Sequence, residues 1–407
     1  MTILIFIAIL LVLVLVHEAG HFFAAKSSGV RVDEFAFGFP PRLFSKTKGE
    51  TTYSFNAIPV GGYVKIYGEN GMDEKNSSEN KEEGEIFENK PKPDLKRSFA
   101  HKHPLIKIFI LSAGVIMNLI LAYILITASV YSTTTFAIDR NSEEYQTFVD
   151  EGRIRNETVL IANVVKNSPA EMAGLKVGDE VQKITLNAED VIGQVDNQKT
   201  IDINKASGEE ITEAVSKAIN DTEAKHGDSI TVYYKNKKGE DLSTTLAGVY
   251  NVEGNKDKKM IGVAFAKTAT INLKFSEAVK MGFDKTVEFT KLTLVGFKDL
   301  FVNLFTKGSI SQDIAGPVGI FGMVGEAKTL GFSYLLLFSA VLSISLAIFN
   351  ILPFPALDGG RILFVLIEWI SGKKIPEKWQ GILNGAGFII LILLMVVVTV
   401  KDVLKLF

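Results

Sequence analysis

The chain contains no cysteine, so it can form neither a disulfide nor a thiolate metal site, and any metal it holds must be bound by His, Asp or Glu. That absence says nothing about the redox compartment. Histidine is scarce too: there are five in 407 residues, and two of them lie four residues apart in the first apolar stretch. Charge is nearly balanced, with a formal net of −2 and a pI near 6.3, which removes any electrostatic ground for nucleic acid as a partner. No Lys or Arg precedes the first apolar run, as one would in a cleaved signal peptide; the first cations, Lys26 and Arg31, come behind it.

Against these absences stands an apolar surplus: 47% of residues are hydrophobic and mean hydropathy is +0.22. The pattern predicts a polytopic α-helical membrane protein of four spans carrying an inserted soluble domain. Residues 1–32 hold the first span, an uncharged run that resumes after His-Glu-Ala-Gly-His and approaches the ~20 residues a bilayer requires. Residues 33–68 are short β-like stretches punctuated by Gly and Pro, which read as hairpins, and 69–103 hold an acidic polar insert (69–96) and a cationic loop. Residues 104–131 form the second span, with Lys96, Arg97, Lys102 and Lys107 on its near flank. Positive flanks at Lys26, Arg31 and this loop place them in the cytoplasm, with both termini outside.

Residues 155–267 read as an α/β module. Pro169 starts a short helix and Gly174 ends it, residues 209–220 fit an amphipathic helix, and 229–234 with 242–247 fit two strands. Residues 274–320 comprise an amphipathic helix and an Ala-Gly-Pro-Val-Gly-Ile loop. A third span covers 331–360, an interfacial segment 361–380, and a fourth span 384–402, which reads as a plain anchor.

In the His-Glu-Ala-Gly-His motif, His17 and His21 stand at i and i+4, which an α-helix stacks on one face about a turn apart. Both imidazoles then reach one tetrahedral zinc, with Glu18 beside the open coordination position as general base. In an otherwise uncharged membrane helix these residues carry a burial cost, ~2.5–3.5 kcal/mol for a charge at the bilayer centre, that a metal offsets. The third ligand stays open at this level. His101 and His103 flank Lys102, and His226 lies in the soluble module, so all three read as surface residues. Asp358 is the strongest candidate: it ends a spanning helix on the side of His21, where Pro353 and Pro355 break the helix and Gly359-Gly360 permits close backbone approach. The competing reading is an ordinary Asp-Gly-Gly turn, with Asp358 capping a helix that begins near Arg361.

His-Glu-Ala-Gly-His in a first span together with Asn-Ile-Leu-Pro-Phe-Pro-Ala-Leu-Asp-Gly-Gly in a late one resembles the site-2 protease family of intramembrane metalloproteases, in particular its bacterial regulator of sigma-E protease branch. The resemblance extends to residues 36–40 and 58–69, to Gly114 and Asn118 in the second span, to Ser168–Val181 of a PDZ-like domain, and to 315–320. It implies His17, His21 and Asp358 as Zn2+ ligands, Glu18 as the base, and Asn350 as a residue holding the substrate backbone. It also implies that residues 33–68 form a membrane-associated β-hairpin region that pairs with an unwound substrate strand. The implied substrates are single-pass membrane proteins, such as anti-sigma factors or remnant signal peptides, cut in a bacterial inner membrane after a first cleavage by another protease. The chain has room for one PDZ domain where the best-known member has two. That domain, outside the cytoplasm, either binds a C-terminal peptide or acts as a steric filter. Two other functions fit less of the sequence. A non-catalytic PDZ scaffold predicts a damaged motif, and an anchored, water-facing metallopeptidase predicts the motif in a soluble domain rather than directly behind an apolar run.

Overall fold

A computed structural model describes residues 2–69, 94–132, 135–137, 143–165, 167–189, 195–201, 203, 207–221, 229–236, 239–247, 250–252, 255–271, 273–307 and 316–404. Most of the acidic insert and His226 lie outside the described residues. The chain divides into two compact units, Met1–Val130 with Ser276–Phe407, and Tyr131–Phe275. The first unit begins with α1 (Thr2–Ser27), β1 (Val32–Lys48), β2 (Thr51–Ile66) and α2 (Pro104–Ser132). The second holds β3 (Thr135–Ala137), α3 (Glu143–Asp150), β4 (Ile154–Val164), α4 (Pro169–Met172), β5 (Glu180–Glu189), β6 (Val195–Ile201), α5 (Gly208–Asp221), β7 (Ser229–Lys235), β8 (Asp241–Ala247), β9 (Tyr250–Val252), β10 (Asn255–Met260) and β11 (Val263–Ile271). The first unit resumes with α6 (Phe275–Lys307), α7 (Pro317–Leu330), α8 (Phe332–Ile351), α9 (Asp358–Ser371) and α10 (Glu377–Leu404).

Among the described residues, four helices are long and apolar enough to cross a membrane: α1, α2, α8 and Lys378–Leu404 of α10. At ~1.5 Å per residue each reaches about 30 Å or more, the thickness of a hydrocarbon core. Ala122 and Ile126 of α2 pack with Ala340, Ile344 and Ile348 of α8. Three serines of α8 find acceptors: Ser343 Oγ donates to Asn118 O at 2.8 Å, and Ser339 and Ser345 donate to carbonyls one turn back in their own helix. At the other end Ala24, Ala25, Val30, Val32, Ile66, Ile110, Leu111 and Val365 join α1, the β-strands, α2 and α9 into one core.

Two expectations change here. The third span ends at Ile351, since Pro353 cannot continue it, and Asp358 opens a separate helix after the turn 352–357 rather than closing the span. Residues 317–320 are not loop: Pro317 sits at the first position of α7, where its missing N–H costs nothing. That helix has no side-chain cap of its own, and Asp402, buried near the end of α10, accepts from Gly319 N at 2.8 Å instead.

The β-region is two long antiparallel strands rather than several short ones, and they fold back on each other. Glu34–Phe37 register against Lys65–Gly62 on one side and Thr52–Phe55 on the other, while Phe44–Lys48 pair with Phe55–Thr51. The result is four pairing segments with 62–66 along one edge. Buried Asn56 fastens the fold-back, donating from Nδ2 to Gly38 O at 2.9 Å.

Glu50 ties the β1–β2 turn to the body of the unit. Arg97 donates to both of its oxygens at 2.7 Å, and Lys26 Nζ donates at 2.5 Å. The Arg97 hydrogen bonds, then those from Lys26, hold the Glu50 carboxyl down from its ordinary 4.5 to about 2. A depressed carboxyl stabilises the fold above 4.5 and loses that contribution as pH falls towards 2. Glu50→Gln should therefore cost about 1 kcal/mol at neutral pH, the scale of a partly exposed network. The gap in melting temperature from wild type should close on acidification through that window; a gap that persists at pH 2 would refute the assignment.

In the second unit the strands run β3-β11-β4-β5-β7-β8, with β6 pairing β5. Ile211 and Val215, one turn apart on α5, bury against Val159, Ile161, Ile184, Val232 and Phe265. The sequence places its helix starts by chemistry. Ser168 Oγ accepts from Glu171 N while the Glu171 carboxylate accepts from Asn167 N; at α5 Ser207 Oγ accepts from Glu210 N and the Glu210 carboxylate accepts from Ser207 N.

Candidate metal centre

The i, i+4 spacing does what it predicts: His17 and His21 are both buried on one face of α1. The turn 352–357 brings Asp358 to the same point. His17 Nε2 lies 3.1 Å from Asp358 Oδ2, His21 Nε2 lies 3.3 Å from it, and the two Nε2 atoms are 3.2 Å apart. One ligand atom from each residue thus forms a near-equilateral triangle. Ligands at tetrahedral angles and ~2.0–2.1 Å from a zinc ion are separated by about 3.3 Å, so this triangle has the size of one face of such a site.

Two further observations test the fit. Asp358 Oδ2 is buried and has no hydrogen-bond partner, although two imidazole nitrogens lie within ion-pair distance. Lone pairs aimed at one point, rather than at donors, account for this. His21 Nδ1 also donates to Ile110 O at 2.9 Å, which puts the lone pair of the neutral ring on Nε2, the atom facing the triangle. The converging donors are two imidazoles and one carboxylate, a set that suits a dication. The residues present fit zinc.

The helices can supply this geometry because α2 presents Gly114 to the histidines. A Cβ there would stand 2.5 Å from His21 Nε2 and 2.7 Å from His17 Cε1. One turn on, Asn118 is fully buried with its amide 3.4 Å from His17 Nδ1. Gly114 and Asn118 thus match His17 and His21 at the same i, i+4 interval. The sequence offered this pair only as part of the resemblance; its place at the centre was not readable, because the facing helix is not.

Glu18 and the three clustered residues line a cavity of about 410 Å³, together with Tyr63–Ile66 of β2, Ala356 and Arg361. A Cβ on Gly62 would come within 3.6 Å of Glu18 Cγ, so the strand edge lies against the glutamate. Arg361 Nη1 donates to Glu69 Oε1 at the rim, joining the turn after β2 to the first turn of α9. The sequence did not reveal this pair, because its two members stand 292 positions apart. His101 and His103 are exposed and outside the cluster, as expected. Asn350 lies half-buried in the last turn of α8 and does not line the cavity.

Comparison with known proteins follows the same line. The model of peptidase family M50 matches residues 5–394. A Clostridium perfringens protein, provisionally named a zinc metalloprotease, is 33% identical over 392 residues, covering 96% of this chain and 95% of its own length. A Fusobacterium nucleatum protein with the same provisional description is 32% identical over 409 residues, with both chains covered in full. Zinc metalloprotease RasP of Shouchella clausii is 29% identical over 472 residues, covering 100% of this chain and 99% of that one.

Proposed function

The chain belongs to peptidase family M50, the site-2 protease family, and from that membership and the geometry of the His17, His21 and Asp358 cluster we propose that it is a zinc-dependent endopeptidase cutting the membrane-spanning segments of single-pass proteins. The triangle of ligand atoms, set among helices long enough to cross a membrane, is the observation that carries the reading.

His17 and His21 through Nε2, and Asp358 through Oδ2, would hold Zn2+. When bound, the ion supplies Lewis acidity towards a water and towards a peptide carbonyl. The remaining work falls to the chain. Glu18 takes a proton from the attacking water on its carboxylate and returns it to the nitrogen of the leaving amine. Ile110 O holds His21 in its Nε2-ligating tautomer. Asn118 does the same for His17 with its amide turned so that buried Oδ1, otherwise without a partner, accepts from Nδ1–H. Asn350 is the residue we assign to the substrate backbone.

A helical substrate hides its carbonyls in internal hydrogen bonds and must unwind before it can be cut. Within lipid, the freed groups need partners. Segment 62–66 of β2 pairs with 32–37, and its residues Tyr63–Ile66 line the cavity. That supports adding the substrate there as a further strand. The second unit is read as a PDZ-like domain that receives a C-terminal peptide or screens substrates by size. Both chain termini and this unit are placed outside the cytoplasm on the charge pattern, with the site towards the cytoplasmic side of a bacterial inner membrane. Anti-sigma factors and remnant signal peptides are the substrates proposed.

The test uses the full chain with a single-pass substrate in detergent or liposomes. A strong zinc chelator should reduce cleavage to background, and added Zn2+ should restore it. Cleavage that survives complete removal of zinc eliminates the metalloprotease reading.

A further inference from the structure

Most of α10 faces away from the protein: Phe388, Ile389, Ile390, Leu393 and Met395 are all exposed. Over residues 378–387 the exceptions form one stripe. Gln380 and Asn384 are half-buried, and Gly387 is buried, at i, i+4 and i+7. Gln380 Nε2 donates to Glu368 Oε1 and to Ile375 O, both at 3.1 Å, fastening α10 to the far end of α9. Asn384 and Gly387 meet the turn that carries Asp358 instead. Asn384 Oδ1 accepts from Ala356 N at 3.1 Å, and Gly387 approaches so closely that a Cβ there would stand 2.4 Å from Pro355 O.

Ala356 has φ of +76°, a backbone conformation that residues bearing a Cβ rarely adopt. Such a residue persists where its surroundings enforce it, and such residues gather at functional sites. Ala356 lies two positions before Asp358 and lines the same cavity. Relaxing Ala356 to an ordinary φ would swing the start of α9 and carry Asp358 Oδ2 off the two imidazoles. The Asn384 carbonyl opposes that relaxation, because letting go would leave the Ala356 N–H without this acceptor among apolar helices.

We infer that α10 is not a plain anchor but the clamp that positions the third metal ligand, with Asn384 as a positioning residue acting through the left-handed turn at Ala356. The inference rests on the reading of Asp358 as a ligand. It makes the site dependent on three helices for its three ligands: α1 for the histidines, α9 for the aspartate, and α10 for the aspartate's angle.

The test is zinc affinity of the full chain in detergent, read by competition with a chromophoric chelator, with melting temperature recorded alongside. Asn384→Ala should weaken zinc binding by about 10–100-fold, the range for residues that orient a ligand. Gln380→Ala, which loosens α10 from α9 without touching the turn, should leave affinity unchanged. Adding Ala356→Gly to Asn384→Ala should recover part of the loss, since glycine holds a positive φ without enforcement. Equal losses in Asn384→Ala and Gln380→Ala, or no recovery from Ala356→Gly, would overturn the inference. So would wild-type affinity in Asn384→Ala while Asp358→Ala loses zinc. Should Asp358→Ala and His17→Ala both retain zinc, the metal reading itself fails, a result distinct from all the others.

Discussion

Glu18→Gln should cut proteolysis by about 10²–10⁴-fold while leaving bound zinc at wild-type level. The separation of the two readouts follows from the geometry. Glu18 lines the cavity but is not one of the three residues whose ligand atoms converge, so removing its charge takes nothing from the metal's donor set. Glutamine keeps the shape of the side chain beside Gly62 and keeps an oxygen that can accept a hydrogen bond, but it cannot carry a proton from water to a leaving nitrogen. A scaffold that merely kept the motif would show no cleavage in either protein. A structural glutamate would show loss of zinc together with loss of activity. Measuring metal content and cleavage on the same preparation therefore separates three outcomes, and only zinc retained with cleavage lost supports the proposed base.

Much of this was legible in the sequence, and what was not had physical reasons. The four apolar helices were readable because spanning lipid imposes a length and a composition on a single segment. His17 and His21 were readable because their relation is local, fixed by one helical turn. The Asp358 contact was not: a ligand and a capped Asp-Gly-Gly turn look alike until the turn 352–357 is seen returning the chain to α1. The β-region was found but cut too short. Gly38, Pro40 and Gly61 read as breaks, whereas the strands fold at these residues without ending. Pro317 was likewise read as loop although a proline at the first helical position was an available signal. The working face of α10 was hidden for a different reason. In an apolar helix, one asparagine and one glycine stand out little from the background, and their partners at Ala356 and Pro355 come from a turn whose course the sequence does not reveal.

The strongest test of the helix packing is Gly114→Ala. On helix propensity alone this change should help: glycine inside a helix is about 1 kcal/mol less favourable than alanine. Gly322 in α7 shows that case, since a Cβ there meets nothing within 4 Å, and Gly322→Ala should be neutral or slightly stabilising. At Gly114 the sign reverses. The added methyl would lie 2.5 Å from His21 Nε2, 2.7 Å from His17 Cε1 and 2.8 Å from His17 Nδ1, closer than Cβ atoms come to other heavy atoms. Neither imidazole can simply retreat, because His21 is held to Ile110 O on the same helix as Gly114, and α1 and α2 already touch at Gly20, where a Cβ would meet Ala113 O at 2.4 Å. The helices must part or the rings must turn, and either movement breaks the triangle. We expect Gly114→Ala to lose zinc binding and activity together and to cost about 1–3 kcal/mol of stability, as overpacking of a tight contact does. Zinc affinity measured on the two alanine variants side by side decides the matter. If Gly114→Ala binds zinc as well as Gly322→Ala does, the histidines do not sit against α2 as the distances require.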